Sequence, residues 1–178
     1  MIKKIGVFCS ASDNIDAIYF ESARQLGEWM GKENKMLVYG GTALGLMEQI
    51  ARAVKENGGN VVGIVPVKIK ESNLESTLSD QTIDVSNLSE RKDLMLQKSD
   101  IMVALPGGIG TLDEVFHVMA AATIGDHTKK IVFYNINGFY DLLWRILNDM
   151  KTNHFITGEL SDYCNIANSF EELKLFLL

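Results

Sequence analysis

An unbroken apolar run, Ile101–Leu105, ends at Pro106 and opens directly onto Gly-Gly-Ile-Gly-Thr. No other segment constrains the fold as strongly. A run without polar alternation is the pattern of a strand buried on both faces, the situation of a central strand in a parallel sheet. Such a strand requires helices on both sides, and the rest of the chain has to supply them.

The chain does so in strict alternation. Ile2–Cys9 reads as a first strand, and Asp16–Lys32 follows with apolar residues at Ala17, Phe20, Leu26 and Met30, spaced for one helix face. Met36–Tyr39 is a strand, Leu44–Asn57 a helix stopped by Gly58-Gly59, and Val61–Val65 a strand ended by Pro66. Residues 67–80 are polar and weakly patterned and read as a mobile surface loop before a short strand, Thr82–Val85. Asn87 and Glu90 have capping-box spacing and open a helix through Lys98. After the central strand come a helix at Thr111–Ala122, a strand at Ile131–Tyr134 and a helix at Phe139–Met150. Ser169 and Glu172 cap a last helix through Leu178. Strand–helix alternation with right-handed crossovers gives an α/β fold, Rossmann-like and doubly wound, with a mainly parallel sheet and helices on both faces. Ligands in such sheets bind beyond the carboxyl ends of the strands. Residues 9–13, 40–45, 66–75, 86–92 and 106–114 are therefore the segments to inspect.

Size and charge narrow the class. The 178 residues, 47% hydrophobic and 22% charged, fit one globular domain spanning 1–178. With 17 basic against 23 acidic residues the net charge is −6, which argues against a general nucleic-acid or anionic-membrane surface but leaves room for one local anion site. Cys9 and Cys164 lie far apart without metal-ligand spacing, and His117, His127 and His154 show none either, so no metal is expected. The N-terminus lacks a signal-peptide pattern, and no apolar run approaches the roughly 18 residues of a membrane span. The expectation is a soluble cytoplasmic protein with reduced thiols.

Three segments could carry chemistry. In the first, Pro106, Gly107, Gly108, Ile109, Gly110 and Thr111 connect the buried strand to a helix. Glycines let a backbone turn sharply and approach a ligand closely, and amide N–H groups at a helix start attract an anion such as phosphate. The competing reading is a tight turn in which Thr111 and Glu114 form a capping box. If a phosphate binds there, it raises the pKa of Glu114 nearby. In the second segment, Arg91 and Lys92 straddle the apolar stripe marked by Leu88 and Met95, where charges are normally absent. They are expected to point inward to an anion, the alternative being that both snorkel outward. The third is Tyr39-Gly-Gly-Thr-Ala-Leu-Gly-Leu-Met47. It is neither a phosphate loop with Lys-Ser/Thr nor a dinucleotide fingerprint, and a glycine turn that binds no ligand accounts for it as well as substrate contact at Gly40, Gly41 and Met47 does.

Together these segments resemble the Lonely Guy (LOG) family of phosphoribohydrolases, many of whose members carry the older label "lysine decarboxylase". The family motif Pro-Gly-Gly-x-Gly-Thr-x-x-Glu matches Pro106, Gly107, Gly108, Gly110, Thr111 and Glu114 at every fixed position. Arg91-Lys92 is similar to the family's Arg-Lys pair, and Tyr39–Gly41 with Gly45–Met47 to its Tyr-Gly-Gly and Gly-Leu-Met segments. The chain departs from the pattern at Thr42 and Glu48, where the family has glycine, and at Ser89, where it often has histidine. The family's acidic residue in the loop after the third strand has no clear match between Glu71 and Glu75.

The resemblance implies hydrolysis of the N-glycosidic bond of a nucleoside 5′-monophosphate, such as AMP or a cytokinin nucleotide, by a homodimer or larger assembly with no cofactor. Glu114 and Arg91 would be catalytic, with Lys92 and the 106–111 turn binding phosphate. A pyridoxal-dependent decarboxylase would need a Schiff-base lysine with an acidic partner for the pyridine nitrogen, and the phosphate loop supplies neither. An AMP nucleosidase-like hydrolase and a non-catalytic nucleotide or cofactor carrier of the same fold remain the other readings.

Overall fold

The computed structural model describes residues 2–178. Seven strands form one sheet: β1 (Lys4–Phe8), β2 (Met36–Tyr39), β3 (Val61–Pro66), β4 (Gln81–Val85), β5 (Ile101–Ala104), β6 (Ile131–Tyr134) and β7 (Cys164–Ala167). Their order across the sheet is β4-β3-β2-β1-β5-β6-β7, and every pairing is parallel. The long helices are α1 (Ala17–Lys32), α2 (Gly45–Glu56), α4 (Leu88–Lys98), α5 (Ile109–Thr123), α6 (Asp141–Thr152) and α8 (Phe170–Leu177). Two short ones, α3 (Val67–Glu71) and α7 (Leu160–Tyr163), complete the set.

Period-two alternation in the strands divides the core into two layers. Ile5, Val7, Leu37, Tyr39, Val103 and Leu105 face α1, α2 and α8. Phe8, Val38, Met102, Ala104 and Phe133 face α4, α5 and α6. Val103 and Met102, on opposite faces of β5, are both fully buried, as the apolar run predicts.

The structure corrects three readings from the sequence. Residues 67–80 are not a free loop: they contain α3, and Thr42 and Glu75 form an isolated antiparallel bridge that ties the stretch down. β7 was missed, because four residues at a sheet edge carry little periodic signal. Helix α5 starts at Ile109, two residues before Thr111, so Thr111 and Glu114 lie inside the helix and form no capping box.

Candidate active site

The chain first builds the sheet outward from β1 through β2 and β3 to β4, then returns to place β5 on the other side of β1. The direction of winding thus reverses between β1 and β5, which opens a crevice at their carboxyl ends. A cavity of about 260 Å³ lies there. Ser10 and Ala11 from the end of β1, Met47 of α2, Arg91 of α4, and Gly108, Gly110, Thr111 and Glu114 at the start of α5 line it. The loop after β1 is held from both sides. Ser10 N–H donates to the Pro106 carbonyl at 3.2 Å, and its carbonyl accepts from Leu46 N–H at 2.9 Å. Gly45 has φ +56°, and a Cβ there would sit 2.6 Å from the Ala11 carbonyl carbon, so only glycine lets α2 begin this close.

The start of α5 is uncapped. Gly108 is its N-cap and offers no side chain, so the N–H groups of Ile109, Gly110 and Thr111 have no carbonyl of their own helix to meet. The three glycines of this turn differ in kind. A Cβ on Gly107 would lie 2.1 Å from Thr111 Oγ1, so close packing requires glycine there. At Gly108 and Gly110 a Cβ would meet nothing within 4 Å, and neither residue has the positive φ that demands glycine. Packing and backbone conformation leave these two unexplained.

Inside the cavity Arg91 Nη2 donates to Glu114 Oε1 at 2.6 Å, and both side chains are largely buried. Burial pushes the Glu114 carboxyl up to about 7, and the Arg91 guanidinium offsets only part of that effect. Arg91 Nε is buried without a partner. A Cβ on Gly40 would lie 3.5 Å from Arg91 Nη1 and 3.2 Å from Met47 Sδ, so the β2–α2 turn packs directly on the guanidinium. Gly41 points elsewhere: a Cβ there would run into the Val65 side chain at 2.3 Å.

Lys92 does not line the cavity, where the sequence expected it to face an anion. Its Nζ sits 2.8 Å from both carboxylate oxygens of Asp113. His117 Nε2 lies 2.8 Å from Asp93 Oδ1, giving a third link between α4 and α5 beside the Arg91–Glu114 pair. Neither Asp113 nor Asp93 was foreseen, because pairing between two helices leaves no trace in the spacing along either one. Ser10 and Ala11 were also unassigned, although the carboxyl-end rule marks their segment. Cys9 is fully buried, and burial together with the Glu114 charge pushes its thiol far above the ordinary range, which makes it a poor nucleophile. Among the described residues no three His, Cys, Asp or Glu side chains gather as metal ligands would.

A family model described as "Possible lysine decarboxylase" matches residues 47–175. A protein of Oryza sativa subsp. japonica named probable cytokinin riboside 5'-monophosphate phosphoribohydrolase is 36% identical over 154 residues, covering 86% of this chain and 68% of that protein. An Arabidopsis thaliana protein named cytokinin riboside 5'-monophosphate phosphoribohydrolase is 35% identical over the same span, 86% of this chain and 68% of its own length. The chain belongs to the Lonely Guy family. Its fold is also that of the molybdenum cofactor binding protein from the phototrophic bacterium Rippkaea orientalis, with a TM-score of 0.76, 24% identity and coverage of 99% of this chain and 95% of that one. At that identity the likeness describes the fold alone. Among the described residues no helix is long and apolar enough to cross a membrane.

Proposed function

We propose that this member of the family hydrolyses the N-glycosidic bond of AMP or an N6-modified AMP, releasing the free base and ribose 5-phosphate. One observation carries the reading. A buried carboxylate–guanidinium pair shares its crevice with the uncapped start of α5, the helix that also carries Glu114, with glycine at two positions where the fold does not require it. The 5′-phosphate fits the Gly108–Thr111 amides, where N–H groups and the helix dipole favour an anion. The relatives' names supply the substrate class.

The chemistry follows from where charge develops. Breaking the bond between C1′ and the base nitrogen leaves positive charge on the ribosyl ring in an oxocarbenium-like state. Glu114, in its ionised form, stabilises that charge and takes a proton from the attacking water as its oxygen bonds to C1′, while the base leaves with the electron pair of the broken bond and is protonated from solvent. A carboxyl held near neutrality is suited to such transfer. Arg91, paired with Glu114, orients the phosphoribosyl group, and Met47 walls the crevice beside it, with Gly40 packed behind the guanidinium. No step needs a metal or redox cofactor.

We further propose that the chain self-associates. Leu142, Ile146 and Met150 form an exposed apolar stripe at four-residue spacing on α6, with exposed Phe116 on α5, and such faces are normally covered. Two buried free thiols, Cys9 and Cys164, suit a reducing cytoplasmic compartment. The test of function is ribose 5-phosphate release from AMP and from N6-isopentenyl-AMP by the purified protein. Release from either supports the hydrolase, and their ratio separates an AMP nucleosidase from a cytokinin-activating enzyme. Binding without release from any nucleotide would mark a carrier.

A further inference from the structure

We infer that Glu48 and Ser76 are positioning residues for this site: their hydrogen bond clasps the segment after α3 onto the Gly40–Ala43 turn and so holds Gly40 against the Arg91 guanidinium. The inference rests on the reading of Arg91 as part of the site. Glu48 lies in the first turn of α2, directly after Met47 of the cavity wall. Its Oε2 accepts from Ser76 Oγ at 2.6 Å, while Oε1 lies 3.5 Å from Arg52 Nη2. An O–H donor to a carboxylate at this length is a charge-assisted bond, roughly twice as strong as a neutral one. Ser76 is buried, and its N–H donates to the Gly41 carbonyl at 2.8 Å. Ala43 N–H donates to the Leu74 carbonyl at 2.8 Å, and Thr42 bridges Glu75 between these two bonds. Residues 74–76 therefore run along the turn as a short extra strand, and the Glu48–Ser76 bond pins that strand to α2.

What the clasp fixes is the wall behind Arg91. Arg91 is tethered at Nη2 by Glu114, its Nε has no partner, and Nη1 packs near Gly40. With a single polar tether, the plane of the guanidinium depends on that packing. The family pattern places glycine where this chain has Glu48, and glycine offers no acceptor, so the clasp belongs to this chain's own sequence.

The test uses Ser76→Ala and Glu48→Gly, with Glu48→Gln as the conservative variant that keeps an acceptor. Folding is verified by thermal unfolding. Amide hydrogen exchange at Ala43 and Ser76, kcat/KM for ribose 5-phosphate release, and calorimetric Kd for AMP are then measured on the intact chain. The two disruptive variants are expected to speed exchange at both amides and to lower kcat/KM on the order of tenfold, the scale of a sub-ångström to ångström misplacement. Glu48→Gln is expected to recover most of that loss, which a purely structural change would not produce. Faster exchange with wild-type kcat/KM would leave the clasp structural and overturn the inference, as would unchanged exchange in both variants. If wild type binds AMP but releases nothing, only the hydrolase reading fails. The inference then stands on a tenfold weaker AMP Kd in Ser76→Ala and falls without it, and no AMP binding by wild type overturns both.

Discussion

Glu114→Gln separates the fold's interest from the reaction's, because the carboxylate is held where the fold would rather have it neutral. Its pKa rises from the usual 4.5 to about 7, with burial as the main cause. Between those two values the folded chain binds more protons at this site than the unfolded chain, so stability falls as pH rises. At about 1.4 kcal/mol per pH unit across that window, ionising Glu114 costs the fold about 3 kcal/mol by pH 8. Glutamine resembles the neutral acid and can still accept from Arg91, so the variant lacks this slope. All other titrating groups are common to both proteins and cancel in the difference. Glu114→Gln should therefore gain about 3 kcal/mol on wild type between pH 4.5 and 8, roughly 6–12 °C in Tm for a chain of this size. The same variant should lose on the order of 10²-fold in kcat, and the wild-type kcat/KM should rise with pH through about 7, as expected of a group that works ionised. The assay is thermal unfolding of both proteins across that range, alongside ribose 5-phosphate release. Parallel stability curves, or turnover within threefold of wild type, would refute the reasoning.

Arg91→Lys should restore little of the activity lost in Arg91→Ala, because Nη2 serves Glu114 while Nη1 packs toward Gly40, and a single ammonium cannot hold both ends of that fork. Since Arg91 lowers the Glu114 pKa, residual turnover in Arg91→Ala should show its acid limb moved to higher pH, a shift that steady-state rates across pH would detect. Light scattering at micromolar concentration should give at least twice the 19.8 kDa of one chain, and a value near that mass would refute self-association.

The sequence was most legible where local pattern and buried position agree. The apolar runs at β1, β2 and β5 and the caps at Asn87 and Ser169 stand where the structure has them, with both cap side chains accepting from the N–H three residues on. Glu90 and Glu172 reach one residue past the cap, to Ser86 and Asn168 N–H. Arg91 and Glu114 were each found from helix position, and topology brings them together, because α4 and α5 both start at the carboxyl edge. Less legible were features made by distant residues. The strap at 74–76 is held by Gly41, Ala43 and Glu48, and its own composition is that of an ordinary loop. Lys92 meets Asp113 on the neighbouring helix rather than the cavity, and that partner could not be read from its neighbours in sequence.

The turn after β5 shows what structure adds to a motif, and it yields the most economical test of the anion site. By sequence its glycines are alike, and a tight strand–helix connection could account for any one of them. In the structure Gly107 is needed to admit the Thr111 hydroxyl, whereas Gly110 lies within α5 with open space where a Cβ would go. Alanine is favoured over glycine inside a helix by about 1 kcal/mol. Gly110→Ala should therefore stabilise the protein, by roughly 2–4 °C in Tm. Gly110 lines the cavity, so a methyl added there is expected to crowd a phosphate approaching the amides. The expected signature is a higher Tm together with a KM for AMP raised on the order of tenfold, since a lost phosphate contact removes binding energy of one to two kcal/mol. A variant that is more stable and keeps its KM would show that the turn does not hold the phosphate. A variant that is less stable would mean the fold has a use for Gly110 after all, and that the ligand is not needed to explain it.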